Sequence, residues 1–248
     1  MKKTINGIEI QIVQGFVELS QVAAERIKQR IMQSDKTSLL VPTGTTPEGT
    51  YGLLAKESPE LFRNVSFYNM DEYCARSDDD SYAFLPIDDE RSYHYYMKRH
   101  ILDASPFITS FFPGIENIKQ PGSYDKLIES HGGIDLCLNA IGEDGHTFGF
   151  NLPGSSFSSE THLVKINENT KEVNEKLTGL ETPQYAVSVG LMSGMSANEV
   201  LLLVSGKRKA EILKRILLGN ISEDIPATIL RNHKNCTWIV DEDAASKL

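Results

Sequence analysis

Residues 38–47 read Ser-Leu-Leu-Val-Pro-Thr-Gly-Thr-Thr-Pro (SLLVPTGTTP). Ser38 to Val41 is an apolar run of strand length that passes directly into small, hydroxyl-bearing residues. Thr46 has the chemistry of a helix N-cap. Pro47 suits the first helical position, where its missing N–H is not needed. A buried strand running into a capped helix is the first half of a strand–helix–strand unit, and its recurrence along the chain decides the fold. Upstream, Gly7 to Val13 alternates at period two as an edge strand. Ser20 to Met32 places Val22, Ala23, Ile27 and Ile31 on one helical face, with Ser20 as the expected N-cap. Downstream, Val65–Tyr68, Ile134–Ile141, Tyr185–Val189, Val200–Val204 and Cys236–Val240 read as further strands, with a helix over Lys207–Leu217. Arg76 to Arg91, carrying DDDS and IDDER, reads as a solvated loop.

Strands that are apolar throughout are covered on both faces, which is the habit of parallel sheets. The expected fold is therefore α/β, one domain over residues 1–248, with a mostly parallel, doubly wound Rossmann-like sheet and helices on both faces. In such sheets ligands lie beyond the carboxyl ends of the strands.

Composition narrows the function. The 248 residues are 40% hydrophobic and 24% charged, enough for a sizeable core. Lys and Arg number 25 against 34 Asp and Glu, a net charge of −9. That balance argues against nucleic acid and against anionic membranes, both of which need a basic face. Cys74, Cys137 and Cys236 are odd in number and lack metal-ligand spacing, so they read as free thiols. The N-terminal stretch lacks the continuous apolar core of a signal peptide. No apolar run approaches the roughly 20 residues of a membrane span. A cytoplasmic protein is expected.

Three short motifs fall at strand ends. In PTGTTP, amides, hydroxyls and a helix N-terminus could hold an anion through Thr43, Gly44, Thr45 and Thr46, or could simply start a helix. In NMDEY, Asp71 could act as a general base on a C–H proton next to a carbonyl or imine, or could cap a turn. In GEDGH, Asp144 could orient His146 and set its tautomer. No other His or Cys stands at ligand spacing, so no metal is expected. His94, His100, His131, His162 and His233 read individually as surface or packing residues.

PTGTTPEGTY, FYNMDEY, SYHYYM, GGIDLCLNAIGEDGHTFGFNLPGSSFSS, PQYAVSVG, EVLLLVSGKRKA and IVDEDAA occur here in that order. Together they resemble the glucosamine-6-phosphate deaminase family over about residues 8–245. The broader superfamily includes 6-phosphogluconolactonases, whose DGHT version of the third motif is also present. NMDEY and PGSSFSS favour the deaminase branch. The resemblance implies an aldose–ketose isomerase/deaminase, a hydrolase/isomerase needing no cofactor. It would turn an amino-sugar 6-phosphate of the glucosamine or galactosamine type into a ketohexose 6-phosphate and ammonia. Asp71 would shuttle the proton between C2 and C1, and His146, oriented by Asp144, would open the ring. Thr43, Gly44, Thr45, Thr46 and Lys209 would hold the phosphate. Lys176 stands where the family has a phosphate arginine. The implied partner is a small sugar phosphate, with homo-oligomerisation left open. A lactonase and a non-catalytic sugar-phosphate sensor are the alternatives, the sensor disfavoured by the acidic balance and the lack of a helix-turn-helix pattern.

The departures cluster. The family reads D-G-H-I-x-F-N-E-P, whereas this chain reads DGHTFGFNLP, one residue longer and with Leu152 in the glutamate's place. Asn139-Ala140 replaces a glycine-containing pair, Thr45 replaces a glycine, and the spacer after NMDEY is longer. If Leu152 faced the site, ring opening would be slow and Leu152→Glu would restore part of the rate.

Overall fold

The computed structural model describes residues 1–248. In chain order the elements begin β1 (Lys2–Ile5), β2 (Ile8–Val13), α1 (Phe16–Met32), β3 (Thr37–Val41), α2 (Thr45–Leu54) and β4 (Val65–Asn69). Then come β5 (Asp71–Arg76), β6 (Tyr82–Phe84), α3 (Tyr93–Met97), β7 (Thr109–Phe111), α4 (Glu116–Lys119), α5 (Ser123–Ser130) and β8 (Leu136–Ala140). The chain finishes with β9 (His162–Lys165), α6 (Glu168–Thr178), β10 (Tyr185–Ser188), α7 (Leu191–Met195), β11 (Glu199–Val204), α8 (Ala210–Leu218) and β12 (Cys236–Asp241).

The main sheet has eight strands in the order β1-β2-β12-β11-β8-β3-β4-β7, parallel except for β1. Side chains along a strand alternate between faces, so an uninterrupted apolar run fills two cores at once. Leu39 and Val41 of β3, with Leu201 and Leu203 of β11, pack under α1 and α2. Leu40, Val200, Leu202 and Val204 point the other way, against α5 and α8. This is the doubly wound α/β architecture that the apolar runs predict.

Three local expectations shift. β1 pairs along the outer side of β2, so the edge strand is β1 and not β2; the Asn6-Gly7 turn joins them. Helix α1 starts four residues before Ser20, after Gly15, and the Ser20 hydroxyl donates to the Phe16 carbonyl inside the helix. Helix α2 starts at Thr45 with Gly44 as its cap, where φ is +104°, a value that glycine reaches without strain. Thr46 and Pro47 are therefore inside the first turn.

A second sheet was not anticipated. It is antiparallel, in the order β6-β5-β10-β9, and it contains Tyr185–Ser188, which the sequence pattern places among the parallel strands. Part of the expected loop at 76–91 is β6 of this sheet. One residue, Met70, joins the two sheets. Its amide donates to the Val41 carbonyl of the main sheet, and its carbonyl accepts from Val189 beyond β10. The small sheet therefore sits over the carboxyl ends of the main strands, with Asp71 at the junction.

Candidate active site

Strand order fixes where the site lies. The chain winds outward from β3 through β4 and β7, then resumes at β8 on the other side of β3 and continues through β11 and β12. The loops after β3 and β8 therefore diverge and leave a crevice at the switch point. That crevice holds about 950 Å³ of open space, its mouth included. Thr43 to Thr46 follow β3, Asp71 follows β4, Asp144 and His146 follow β8, and Lys209 follows β11; all line it. Three motifs far apart in sequence thus meet in one cleft.

Lys176 does not join them. The inward stripe of α6 is Thr170, Val173, Asn174 and Leu177, spaced three and four residues apart. Lys176 lies off that stripe, 75% exposed, with the Glu172 carboxylate 3.7 Å away. The cation that does line the cleft beside Lys209 is Arg208, which no motif in the sequence singles out. A GKRK turn shows three cations in a row and not which of them points inward.

The loop after β3 is held from behind. The Tyr51 hydroxyl donates to the Pro42 carbonyl at 2.6 Å, and the Tyr96 hydroxyl to the Gly44 carbonyl at 2.7 Å. In a trans peptide the C=O and N–H point opposite ways, so these bonds aim the Thr43 and Thr45 amides away from the tyrosines. The Thr43 and Gly44 amides have no acceptor within the protein. Lys209 Nζ donates to Thr46 Oγ1 at 2.9 Å. Burial pushes its ammonium down to about 8, with Arg208 acting the same way and Glu143 and Asp241 opposing.

This depression predicts a pH dependence. Below about pH 8 the empty site already carries the charge. Above that value an incoming anion must draw a proton onto Lys209. Affinity for inorganic phosphate should fall by up to about tenfold per pH unit between 8 and 10, the limit for one linked proton. Calorimetric titration in that range should show the slope, and Lys209→Met should abolish it.

The adjacent acids Asp71 and Glu72 are separated by their surroundings. Glu72 is a structural anchor: it accepts from the amides of Tyr73, Tyr93 and His94 and from the Ser92 hydroxyl, all within 2.9 Å. It thereby pins the start of α3 to β5. Asp71 is also buried, yet its carboxylate has no hydrogen-bond partner in the protein and lines the cleft. Burial, with the nearby Glu72 charge, holds its carboxyl well above the usual range. A buried, unpartnered carboxylate with a raised pKa is suited to accept a proton from carbon.

His146 and Asp144 form a dyad, Nδ1 to Oδ1 at 2.6 Å. Nδ1–H donates to the carboxylate, which leaves Nε2 for a ligand. Burial alone would raise Asp144, but the hydrogen bond and charge of His146 outweigh it and set its carboxyl below the ordinary value. Thr170 of α6 reaches the other Asp144 oxygen at 3.5 Å. Phe150 and Tyr93 stack at 6.1 Å and 14° to form an apolar wall of the cleft.

Leu152 is turned away. It is buried with Tyr73, Phe150, Val164, Ile166 and Ala186 in the core of the small sheet and does not line the cleft. The extra residue of the loop is absorbed by two left-handed residues, Phe148 (φ +49°) and Gly149 (φ +76°). A side chain at 149 would meet Ser188 Oγ at 2.5 Å and Asp71 Oδ2 at 2.6 Å, so only glycine fits there. Asn139 secures the same loop, donating to Thr147 Oγ1 at 2.8 Å and accepting from the Phe148 amide at 3.2 Å. The exchange at 139 and the longer loop are thus one structural device. No helix is long and apolar enough to cross a membrane. No group of three or more His, Cys, Asp or Glu side chains is placed to hold a metal ion.

Comparison with known proteins bears on the family and the fold. A model of the glucosamine-6-phosphate isomerase/6-phosphogluconolactonase family matches residues 16–238. The chain is 38% identical to a glucosamine-6-phosphate deaminase of Shouchella clausii, over 94% of this chain and 95% of that one. It is also 38% identical to glucosamine-6-phosphate deaminase 1 of Bacillus subtilis, over 96% and 99%. Among solved structures, a monomeric glucosamine-6-phosphate deaminase superposes with a TM-score of 0.86 at 36% identity, covering 96% of this chain and 99% of that one. The 6-phosphogluconolactonase of Trypanosoma cruzi shares the fold, with a TM-score of 0.75 at 21% identity and 96% coverage of each chain.

Proposed function

The chain belongs to the glucosamine-6-phosphate isomerase/6-phosphogluconolactonase family, and from that premise we propose that it is an isomerising deaminase of an amino-sugar 6-phosphate. The products are a ketohexose 6-phosphate and ammonia. The phosphate rests on Thr43, Gly44, Thr45 and Thr46 with Lys209, at the start of α2. His146 Nε2, with Nδ1 held by Asp144, transfers the proton that opens the ring. Asp71 then takes the C2 proton and returns it to C1. The amine-bearing C2 becomes an imine, and water cleaves it to the ketone and ammonia. Water enters only at that last step, so the hydrolase/isomerase expectation narrows to isomerisation with loss of ammonia.

The observation that carries this reading is the unpartnered, buried carboxylate of Asp71 in the same cleft as the dyad. A lactone hydrolase has no C–H proton to move, and there His146 would activate the water. The test is release of ammonia and ketose from a panel of hexosamine 6-phosphates, with 6-phosphogluconolactone hydrolysis run alongside. Lactone hydrolysis without ammonia would overturn the proposal.

The phosphate grip has its own expected result. Lys209→Ala should raise KM by about tenfold to a hundredfold, the worth of one charge-assisted hydrogen bond. Unphosphorylated hexosamines should be poor substrates of the parent enzyme. Equal turnover of a hexosamine and its 6-phosphate would show that the cradle holds something else.

A further inference from the structure

We propose that Arg208, held in place by Glu143, is the second cation that receives the substrate's phosphate. This rests on the sugar-phosphate reading above and adds to it the residue that completes the charge. A phosphate monoester carries about −1.5 to −2 charges near neutral pH. The cleft is lined by the carboxylates of Asp71, Glu143 and Asp144 and by only two cations, Arg208 and Lys209. Lys209 supplies at most one positive charge. Neither lysine of α6 compensates, because Lys171 and Lys176 are absent from the cleft lining and stand near Glu168 and Glu172.

The geometry of Arg208 suits the role. It immediately precedes Lys209 in the short turn Lys207–Lys209 after β11. Its Nε lies 3.2 Å from Glu143 Oε1, on the loop that follows β8. That contact is made through Nε, on the inner edge of the guanidinium. The two terminal nitrogens make no hydrogen bond within the protein, and they form the planar fork that can bind two phosphate oxygens at once. Arg208, Glu143 and Lys209 also share one local field, since Arg208 lowers and Glu143 raises the proton affinity of Lys209. Glu143 is in this account a positioning residue, acting on the phosphate through Arg208.

Glu143 could instead act as a bare negative charge at the mouth, and the two roles predict opposite signs. The experiment measures inorganic phosphate binding by calorimetry, and KM and kcat on glucosamine 6-phosphate, for the parent protein and five variants. These are R208Q, R208K, E143Q, the R208Q/E143Q double variant and K209M. R208Q should weaken phosphate and raise KM by about tenfold or more, as for loss of a bidentate charged contact, with kcat within about twofold. R208K should recover part of the loss, since charge returns without the fork. E143Q should weaken phosphate by roughly twofold to fivefold alone and add nothing in the R208Q background. Tighter phosphate binding by E143Q would overturn the positioning role. R208Q that matches the parent while K209M is weakened would overturn the proposal and leave the proposed function standing. Failure of phosphate to bind the parent, or to be weakened by K209M, would remove the sugar-phosphate reading itself. Arg208 is 62% exposed and Glu143 32%, so these exchanges leave the core untouched, and unchanged melting curves verify it.

Discussion

Asp71→Asn is expected to lower kcat by about 10²–10⁴, the usual contribution of a positioned general base. The amide keeps the size and polarity of the carboxyl but cannot accept the C2 proton. Substrate should still bind, because Thr43 to Thr46 and Lys209 hold its other end, so KM should change little. Solvent deuterium should enter the product at C1 with the parent enzyme and fail to do so with the variant. Stability should move the other way. Burial raises the Asp71 carboxyl in the folded protein above its unfolded value. The folded state therefore binds more protons than the unfolded state between those two values, and stability is lost as pH rises through them. Asn removes that penalty, so the variant should melt at or above the parent's temperature at pH 7. The same raised pKa places the acid limb of the kcat/KM profile above the ordinary carboxylate range, since only ionised Asp71 accepts a proton. Near-parental kcat in the Asn variant would exclude Asp71 as the base.

Leu152→Glu is expected to destabilise the protein by about 3 kcal/mol or more, the cost of an uncompensated charge in an apolar site. Leu152 is 8% exposed and packs against Tyr73, Phe150, Val164, Ile166 and Ala186, none of which can pair with a carboxylate in that cluster apart from the Tyr73 hydroxyl. That hydroxyl accepts from Tyr93 and Asn174, so at most its single proton could reach the carboxylate, too little to offset the buried charge. For a chain of this size the melting temperature should fall by roughly 6–12 °C. Ammonia release should not rise, because position 152 does not face the cleft. A variant that stays stable and turns over faster would mean that the loop brings 152 back beside His146.

These two residues mark the limit of what the sequence reveals. The position of Asp71 is legible, since NMDEY stands directly after an apolar strand, whereas its role as base comes from the family resemblance and not from residue type or spacing. Leu152 was located by counting along a motif, and one extra residue defeats that count. A left-handed pair at Phe148-Gly149 spends the insertion on turning the chain, so the residue in the glutamate's place faces the small sheet. Lys176 failed for a related reason. Its charge was legible, but the face of α6 that turns inward depends on what the helix packs against, and that is a tertiary matter. Arg208 was hidden among three consecutive cations for the same cause. The second sheet was missed because Tyr185–Ser188 is as apolar as a parallel strand, and periodicity does not encode the partner.

By itself the sequence determined the fold class and set three motifs at strand ends that meet in the cleft. Continuous apolar strands require cover on both faces, and a doubly wound order then forces the loops after β3 and β8 apart, wherever the rest of the chain goes. The tertiary structure alone decided which of two neighbouring acids is free. Asp71 and Glu72 are adjacent and chemically alike, yet Glu72 is saturated by three donors from the start of α3 and by the Tyr73 amide, while Asp71 has none. That assignment depends on amides twenty or more residues away in sequence, at Tyr93 and His94, and only the packed chain brings them to Glu72.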